Sequence, residues 1–252
     1  MNISGKKAVV VGGASGMGRA TAEALAAQGA QVAILDRESS NGKEIATAIG
    51  ATFYPADITD FTGVEETLAA AVTELGGLHV IVTTAGGGTA KKTLGRSGPH
   101  DLETFRQVVD LNLIATFNLN RLAAAHMANN EPEDDERGVI INTASIAAFE
   151  GQIGQVAYTA AKAGIAGMAL TMARDLGSYG IRVLAIAPSL FATGATAAIP
   201  DDRVAPLVED AAFPKRMGRP EEYAKLALAI VDNAMLNGQC LRLDAGQRFA
   251  PR

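Results

Sequence analysis

Several residue types that mark particular classes of protein are scarce in this sequence. A single cysteine, Cys240, excludes an intrachain disulfide and favours a reducing compartment. The three histidines have no metal-ligand spacing, so we predict no metal site. The net charge of −5 argues against a nucleic-acid partner and against binding to an anionic membrane surface. We therefore expect a protein that works without a disulfide, a metal or a nucleic acid.

Long apolar runs are missing as well. No stretch approaches the ~18 apolar residues needed to span a bilayer. Near the amino terminus, the apolar run from Val9 to Val11 leads straight into glycines, so it lacks the apolar region of a secretory signal. We therefore expect a cytoplasmic protein with no membrane partner.

The remaining composition is that of a globular domain with a large core. Hydrophobic residues make up 48% of the chain and charged residues 19%, and no Pro- or Ser-rich linker divides it, so we predict one domain over residues 1–252. Short β-branched runs alternate with longer alanine-rich segments, which indicates β–α–β units. The predicted strands lie near 7–12, 31–35, 52–56, 78–83, 138–143, 181–187 and 239–243, and the predicted helices near 17–28, 40–49, 61–75, 101–129, 152–178 and 220–232.

This alternation predicts an α/β, doubly wound Rossmann fold. Its seven parallel strands are expected in the order 3-2-1-4-5-6-7, with helices on both faces and a ligand crevice at the carboxyl ends where the order reverses. The longest irregular stretch, 189–217, is predicted to be a lid over a substrate, because long loops inside compact domains are usually functional.

A glycine-rich turn follows the first predicted strand and precedes the first helix. Gly12 permits the sharp exit from the strand, while Gly16 and Gly18 allow the backbone to approach a pyrophosphate closely. The helix that follows points its free N–H groups at the anion, with Met17 in its first turn, and Ser15 offers a hydroxyl donor. The position of this turn between strand and helix predicts a dinucleotide cofactor.

The second predicted strand ends at Asp36, which selects between the two nicotinamide cofactors. A carboxylate there accepts hydrogen bonds from the adenosine ribose hydroxyls and repels a 2′-phosphate, so we predict NAD. Arg37 follows directly and is able to pair with a 2′-phosphate, which keeps NADP as the alternative.

Tyr158 and Lys162 form a second motif, Y-T-A-A-K, with Ser145 thirteen residues before the tyrosine. Side chains at positions i and i+4 of a helix share one face, so the lysine ammonium is expected near the phenol. A nearby positive charge lowers the pKa of a tyrosine and makes it a proton donor and acceptor. Ser145 is then expected to hold a substrate oxygen beside it.

These motifs together resemble the short-chain dehydrogenase/reductase family over essentially the whole chain. The resemblance implies that Asn112, in D-L-N-L, completes the catalytic set with Ser145, Tyr158 and Lys162, bends its helix and holds a water that relays the proton. It also implies further cofactor contacts at Asp57, Ile58, Thr84, Ala85, Gly86, Tyr158, Lys162, Pro188, Phe191 and Thr193. Substrate contacts are expected at Ser145, Gln155, Tyr158 and Phe191.

The sequence departs from the family pattern at three places. Val11 replaces the threonine that opens the glycine motif, so one turn-stabilising hydroxyl is lost. Thr83 and Thr84 replace both asparagines of N-N-A-G, and Ser189 replaces the glycine that follows Pro188. We expect altered hydrogen bonding around the central sheet at these positions.

Within the family, the stretches 137–158 and 181–193 and the closing N-G-Q-C-L-R-L-D-A-G resemble the type II 3-hydroxyacyl-CoA dehydrogenases. This resemblance implies an NAD-linked oxidation at the 3-position of an acyl-CoA and a homotetramer. The alternatives are the same chemistry on a steroid, polyol or sugar, an acyl-carrier-protein reductase, which normally uses NADPH, or a cofactor-binding scaffold without turnover. An insertion at 87–100 carries Lys91, Lys92 and Arg96, which are expected either to contact CoA phosphates or to form a solvated basic loop.

Overall fold

Seven parallel strands form the centre of the protein in a computed structural model, which describes residues 1–194, 196 and 199–251. The strands of this sheet are β1 (Lys7–Val11), β2 (Gln31–Asp36), β3 (Thr52–Pro55), β4 (Val80–Thr83), β7 (Gly138–Thr143), β8 (Ile181–Pro188) and β9 (Cys240–Leu243). Their spatial order is β3-β2-β1-β4-β7-β8-β9. Because β5 and β6 form a separate pair described below, β7, β8 and β9 are the fifth, sixth and seventh strands of this sheet, and the predicted order 3-2-1-4-5-6-7 is confirmed.

Helices cover both faces of this sheet. They are α1 (Gly16–Ala27), α2 (Gly42–Ile49), α3 (Gly63–Leu75), α4 (Leu102–Val109), α5 (Ala115–Met127), α6 (Val156–Leu176), α7 (Asp201–Val204) and α8 (Pro220–Asp232). None of the helices in the described ranges is long and apolar enough to cross a membrane.

The sheet is buried on both faces because each strand is apolar at successive positions. In β1, Val9 and Val11 pack into one hydrophobic cluster with α3, α5 and α6, while Ala8 and Val10 pack into the other with α1, α2 and α8. All four side chains are fully buried. This pattern is typical of parallel strands between two helical layers and explains why near-continuous β-branched runs, rather than alternating ones, mark the strands.

The structure corrects several predicted boundaries. The helix predicted over 101–129 is divided, because a π-helical turn at Asp110–Ile114 separates α4 from α5. The helix predicted from 152 begins only at Val156, and the fourth strand begins at Val80 rather than 78. The insertion at 87–100 contains a short antiparallel pair, β5 (Leu94–Gly95) and β6 (Gly98–Pro99), where a loop was predicted.

The predicted lid is less irregular than its sequence indicates. It contains α7 and a 3₁₀ turn at Ala205–Leu207, and Phe191 forms an isolated bridge with Gly218 where the segment returns to the body of the protein. Residues 195, 197 and 198 of this segment lie outside the described residues.

Candidate active site

A cavity of about 540 Å³ opens at the carboxyl ends of the strands, where the order of the sheet reverses between β1 and β4. Parallel strands present their carboxyl ends at one edge, so residues distant in sequence meet there. The cavity brings together most of the predicted site residues: Gly12, Ser15, Gly16, Met17, Gly18, Asp36, Asp57, Ile58, Thr84, Ala85, Gly86, Ser145, Tyr158, Lys162, Pro188, Phe191 and Thr193.

The glycine turn at the cavity floor requires glycine for two different reasons. Gly12 has a φ of +82°, a left-handed conformation that residues with a Cβ rarely adopt. Gly18 lies so close to the turn that an added Cβ would overlap the carbonyl oxygen of Gly12. Helix α1 begins at Gly16 and directs its unpaired first N–H groups toward the cavity, so this cradle fits a pyrophosphate.

Thr84 supplies a hydroxyl to this turn. Its Oγ1 donates to the carbonyl oxygens of Val11 at 3.1 Å and Gly12 at 3.3 Å. Val11 lacks the hydroxyl that the family pattern has at its own position, and Thr84 stands where that pattern has asparagine. The two departures therefore offset each other, because the turn keeps a side-chain hydroxyl that comes from the residue after β4 instead of from β1.

Asp36 lies at the end of β2 with its carboxylate at the cavity. Its Oδ2 accepts from the Ala14 N–H at 2.9 Å and its Oδ1 from the Arg37 N–H at 2.8 Å, so two backbone donors fix its orientation. Arg37 also lines the cavity. Asp57 sits across from them and its Oδ1 accepts from both the N–H and the hydroxyl of Thr59, hydrogen bonds that lower the pKa of the carboxyl.

The predicted Ser145–Tyr158–Lys162 set converges on the other half of the cavity. Lys162 is only 3% exposed, and its Nζ donates to the Thr143 carbonyl at 2.8 Å while lying 5.6 Å from the centre of the Tyr158 ring. Burial lowers the pKa of this ammonium to about 8. The Ser145 Oγ accepts from the Ala147 N–H at 3.1 Å, which leaves the serine proton to be donated elsewhere.

The expected lowering of the tyrosine pKa is absent from the protein by itself. Burial raises the pKa of Tyr158 above its ordinary value, and the Ser145 hydroxyl offsets only part of that increase. The physical reason is that Lys162 directs its hydrogen bond to the Thr143 carbonyl instead of to the phenol. The loss of solvation is therefore the largest effect on the pKa of Tyr158.

Asn112 lies beneath the cavity instead of lining it. It is fully buried in the π-helical turn, and its Nδ2 donates to the carbonyls of Gly87 and Val108 while its Oδ1 accepts from the Gly87 N–H. A π-helical turn is common at functional sites because it redirects a side chain. Here the turn allows one amide to hold the loop after β4 against α4.

The sequence and structure of this protein match those of a known family. The family model of the short chain dehydrogenases matches residues 6–204. The chain belongs to the short-chain dehydrogenase family. The human "3-hydroxyacyl-CoA dehydrogenase type-2" is 48% identical over 255 residues, covering 99% of this chain and 98% of the human protein. It follows that this short-chain dehydrogenase is an oxidoreductase that acts on CH–OH groups.

Two solved structures resemble this short-chain dehydrogenase along almost its whole length. The 3-hydroxyacyl-CoA dehydrogenase type-2 from Mycobacterium avium has a TM-score of 0.94 at 42% identity, with 98% of each chain covered. A 7α-hydroxysteroid dehydrogenase complexed with NADH and 7-oxo glycochenodeoxycholic acid has a TM-score of 0.86 at 27% identity, covering 98% of this chain and 96% of that one.

Of the residues predicted to contact the substrate of this short-chain dehydrogenase, Ser145, Tyr158 and Phe191 line the cavity and Gln155 does not. Gln155 does not line the cavity, because its Oε1 turns back to accept from the Gln152 N–H at 3.1 Å. The Phe191 side chain is 6% exposed and packs in the core against Gly218 at the edge of the cavity. A substrate role for Gln155 and Phe191 stays a prediction.

Two contributors to the site escaped the sequence prediction. The Thr143 carbonyl holds the Lys162 ammonium, and no sequence signal identifies a backbone acceptor. The Thr196 hydroxyl donates to the carbonyls of Phe191 and Thr193 and accepts from the Thr193 N–H, which fixes the start of the segment predicted to be a lid. A threonine three residues after Thr193 is a recognisable signal for such a local turn.

Proposed function

We propose that this chain is an NAD-dependent dehydrogenase that interconverts a 3-hydroxyacyl-CoA and a 3-oxoacyl-CoA. The observation that carries the chemistry is the meeting of Ser145, Tyr158 and Lys162 in one cavity with the glycine turn and Asp36. The acyl-CoA assignment is supported by relatives of that name, which match at 48% identity over nearly the full chain.

NAD fits the residues that line the cavity. The glycine turn and the start of α1 would hold its pyrophosphate, and Asp36 would accept from its adenosine ribose. A structural relative that carries NADH supports this choice. When bound, NAD supplies the acceptor for the hydride that leaves the carbinol carbon.

The side chains of this protein then handle the proton. Tyr158 as phenolate takes the proton of the substrate hydroxyl, and Ser145 donates its own proton to the same oxygen as a hydrogen bond. Lys162 lies beside them, and its positive charge stabilises the phenolate. Burial works against that charge, because it lowers the pKa of the ammonium to about 8. Asn112 holds the Gly87 loop against this group and is proposed to sit on the path by which the proton leaves.

The insertion after β4 supports an acyl-CoA substrate. Lys91 is paired with Asp101, whereas Lys92 and Arg96 are exposed on the loop that carries β5 and β6. The Lys91 N–H donates to the Gly154 carbonyl at 2.8 Å, so this basic loop is joined to the segment that leads into Tyr158. Cations in this place are suited to the phosphates of CoA.

A second candidate keeps the chemistry and changes the cofactor. Arg37 lines the cavity beside Asp36 and is able to pair with a 2′-phosphate, which would favour an NADPH-linked reductase of an acyl-carrier-protein substrate. The oriented carboxylate of Asp36 opposes this alternative, because it would repel the same phosphate.

The oligomer is proposed to be a homotetramer. Helices α5 and α6 border an outward-facing groove whose walls include Phe117 and Tyr179, both about half exposed. Exposed aromatic side chains of this kind are typical of surfaces between subunits. Light scattering on the purified protein measures the number of subunits directly, and a monomer at micromolar concentration contradicts this proposal.

The function is tested by following absorbance at 340 nm while the protein reduces acetoacetyl-CoA with NADH or NADPH. We expect rapid NADH consumption and little NADPH consumption. A preference for NADPH would support the second candidate. If the protein binds NADH yet turns over neither mixture, the acyl-CoA assignment is wrong, and steroid and polyol substrates become the next to be assayed.

A further inference from the structure

The C-terminal segment 244–251 makes hydrogen bonds to two segments that adjoin residues lining the cavity. One is the predicted lid, 189–217, and the other is the substrate loop, defined here as residues 149–155, which leads into Tyr158 on α6. We propose that this segment is a brace that sets the distance between lid and substrate loop, and that Gln247 is its positioning residue. The proposal rests on the proposed function in one respect, namely that lid and loop enclose the substrate.

The brace holds the lid through one buried side chain, two backbone contacts and a hydrogen bond from the Ala250 N–H to the Asp210 Oδ2 at 3.3 Å. Gln247 is only 2% exposed, and its Nε2 donates to the Leu207 carbonyl at 2.8 Å. The N–H groups of Ala212 and Phe213 both point to the Ala245 carbonyl, at 3.0 and 3.2 Å. A buried amide that donates to a main-chain carbonyl is costly to disrupt, because it leaves unpaired polar groups behind.

The same segment holds the substrate loop through three further hydrogen bonds. The Ile153 N–H donates to the Pro251 carbonyl at 2.9 Å, and the Gln152 side chain donates to the Ala250 carbonyl at 3.2 Å. In the opposite direction, the Phe249 N–H donates to the Glu150 Oε2 at 3.2 Å. One of these hydrogen bonds joins backbone to backbone, and the other two use the Gln152 and Glu150 side chains.

Arg242 fixes the base of the brace to the sheet. From β9 its guanidinium makes a two-pronged ion pair with Glu150 at 2.8 and 3.2 Å and contacts Asp244 at 2.6 Å. It also donates to the Gln247 carbonyl at 3.0 Å and lies 5.3 Å from the centre of the Phe149 ring. A planar guanidinium held by two carboxylates is a rigid anchor, so the brace is positioned by the sheet itself.

The position of the brace predicts an effect on substrate alone. Gly12, Gly18 and Asp36, which would hold the cofactor, make no hydrogen bond to residues 244–251 in the described part of the chain. The brace instead contacts the lid itself and the loop that leads into Tyr158. Loosening it should therefore widen the substrate end of the cleft and leave the cofactor end intact.

Gln247→Glu tests the brace, because it keeps the side-chain shape but places an oxygen against the Leu207 carbonyl. Gln247→Met removes the donor without adding charge, and Gln239→Glu makes the same chemical change at an exposed site. We would measure KM and kcat for acetoacetyl-CoA, Kd for NADH by fluorescence, and amide hydrogen exchange of the lid and substrate loop.

We expect both Gln247 variants to raise KM about tenfold, as the loss of a buried hydrogen bond predicts, with kcat and the Kd for NADH within about twofold. Exchange should become faster in 207–217 and in 149–155, and Gln239→Glu should change none of these values. An unchanged KM, or a KM and a Kd that rise together, would overturn the proposal. If the wild-type protein does not use acyl-CoA at all, hydrogen exchange decides: faster exchange confined to 244–251 would still refute the brace.

Discussion

The Thr84 hydroxyl donates to the Val11 carbonyl at 3.1 Å and joins the ends of two neighbouring strands just above the glycine turn. We expect Thr84→Val, which keeps the shape and removes the hydroxyl, to lower the free energy of unfolding by about 1 kcal/mol and to weaken NADH binding about fivefold. Fluorescence titration with NADH measures the binding and urea denaturation the stability. Thr84→Ser retains the hydroxyl and serves as the matched control; equal binding by all three proteins would show that the turn needs no side-chain donor.

Tyr158 is the group proposed to exchange the substrate proton. Phenylalanine keeps the ring and its packing near Lys162 but cannot accept a proton, so we expect Tyr158→Phe to reduce kcat by about 10²- to 10⁴-fold. The Kd for NADH should change little, because the glycine turn and Asp36 are unaffected. Single-turnover measurement of NADH consumption reports the chemical step directly. Activity near that of the wild type would remove the phenol from the mechanism.

Lys162 links catalysis to the pH dependence of stability. Its ammonium titrates near pH 8 in the folded protein against 10.5 ordinarily, so between these values the unfolded chain binds more protons and stability rises with pH. Below pH 8 this burial costs about 3 kcal/mol, by the value of 1.4 kcal/mol for each pKa unit. The raised pKa of Tyr158 has the opposite effect on stability. Above pH 10 the unfolded chain loses this proton more readily than the folded protein, so this group makes stability fall as the pH rises.

We therefore expect Lys162→Met to inactivate the protein and yet to increase its free energy of unfolding at pH 7 by about 2 kcal/mol, once the lost hydrogen bond to Thr143 is subtracted. The rise in stability between pH 8 and 10 should disappear in this variant. Lys225→Met, at an exposed lysine of α8, is the control that keeps the wild-type pH profile. A Lys162→Met protein that is less stable at pH 7 would show that its contacts outweigh desolvation.

The order of the strands could be predicted from the sequence, whereas the orientation of individual side chains and the backbone partners could not. The sheet order was predictable because β-branched runs and right-handed crossovers leave few topologies, and the carboxyl-edge location of Asp36 and Ser145 follows from that order. The sequence does not predict the direction in which a side chain points. The Gln155 side chain turns back to Gln152, and the Phe191 side chain turns into the core. Backbone partners such as the Thr143 carbonyl carry no residue signature at all, and the same is true of every brace contact made through main-chain atoms.

Asp36 is the residue on which the choice of cofactor depends. Replacing it with alanine removes the repulsion of a 2′-phosphate and leaves Arg37 free to attract it, so the ratio of kcat/KM for NADH to that for NADPH should fall about 100-fold, the size of one or two charged hydrogen bonds. Steady-state assays with each cofactor measure the ratio. Asp57→Ala is the useful comparison, because that carboxylate also lines the cavity but is held by Thr59. If this ratio falls equally in both variants, the total negative charge of the cavity, and not a carboxylate at position 36 in particular, selects the cofactor.

The exposed cations of the insertion distinguish an acyl-CoA from a smaller thioester. Lys92→Glu and Arg96→Glu each place a negative charge where CoA phosphates are proposed to bind, and we expect each to raise KM for acetoacetyl-CoA about tenfold at low ionic strength. The N-acetylcysteamine thioester of acetoacetate has no phosphate, so its KM should not change. Lys225→Glu reverses an exposed charge on α8 and controls for the net charge of the protein. Because screening weakens exposed charges, added salt should shrink the effect on acetoacetyl-CoA; an effect of equal size on the truncated thioester would instead assign the loop to the acyl end of the cleft.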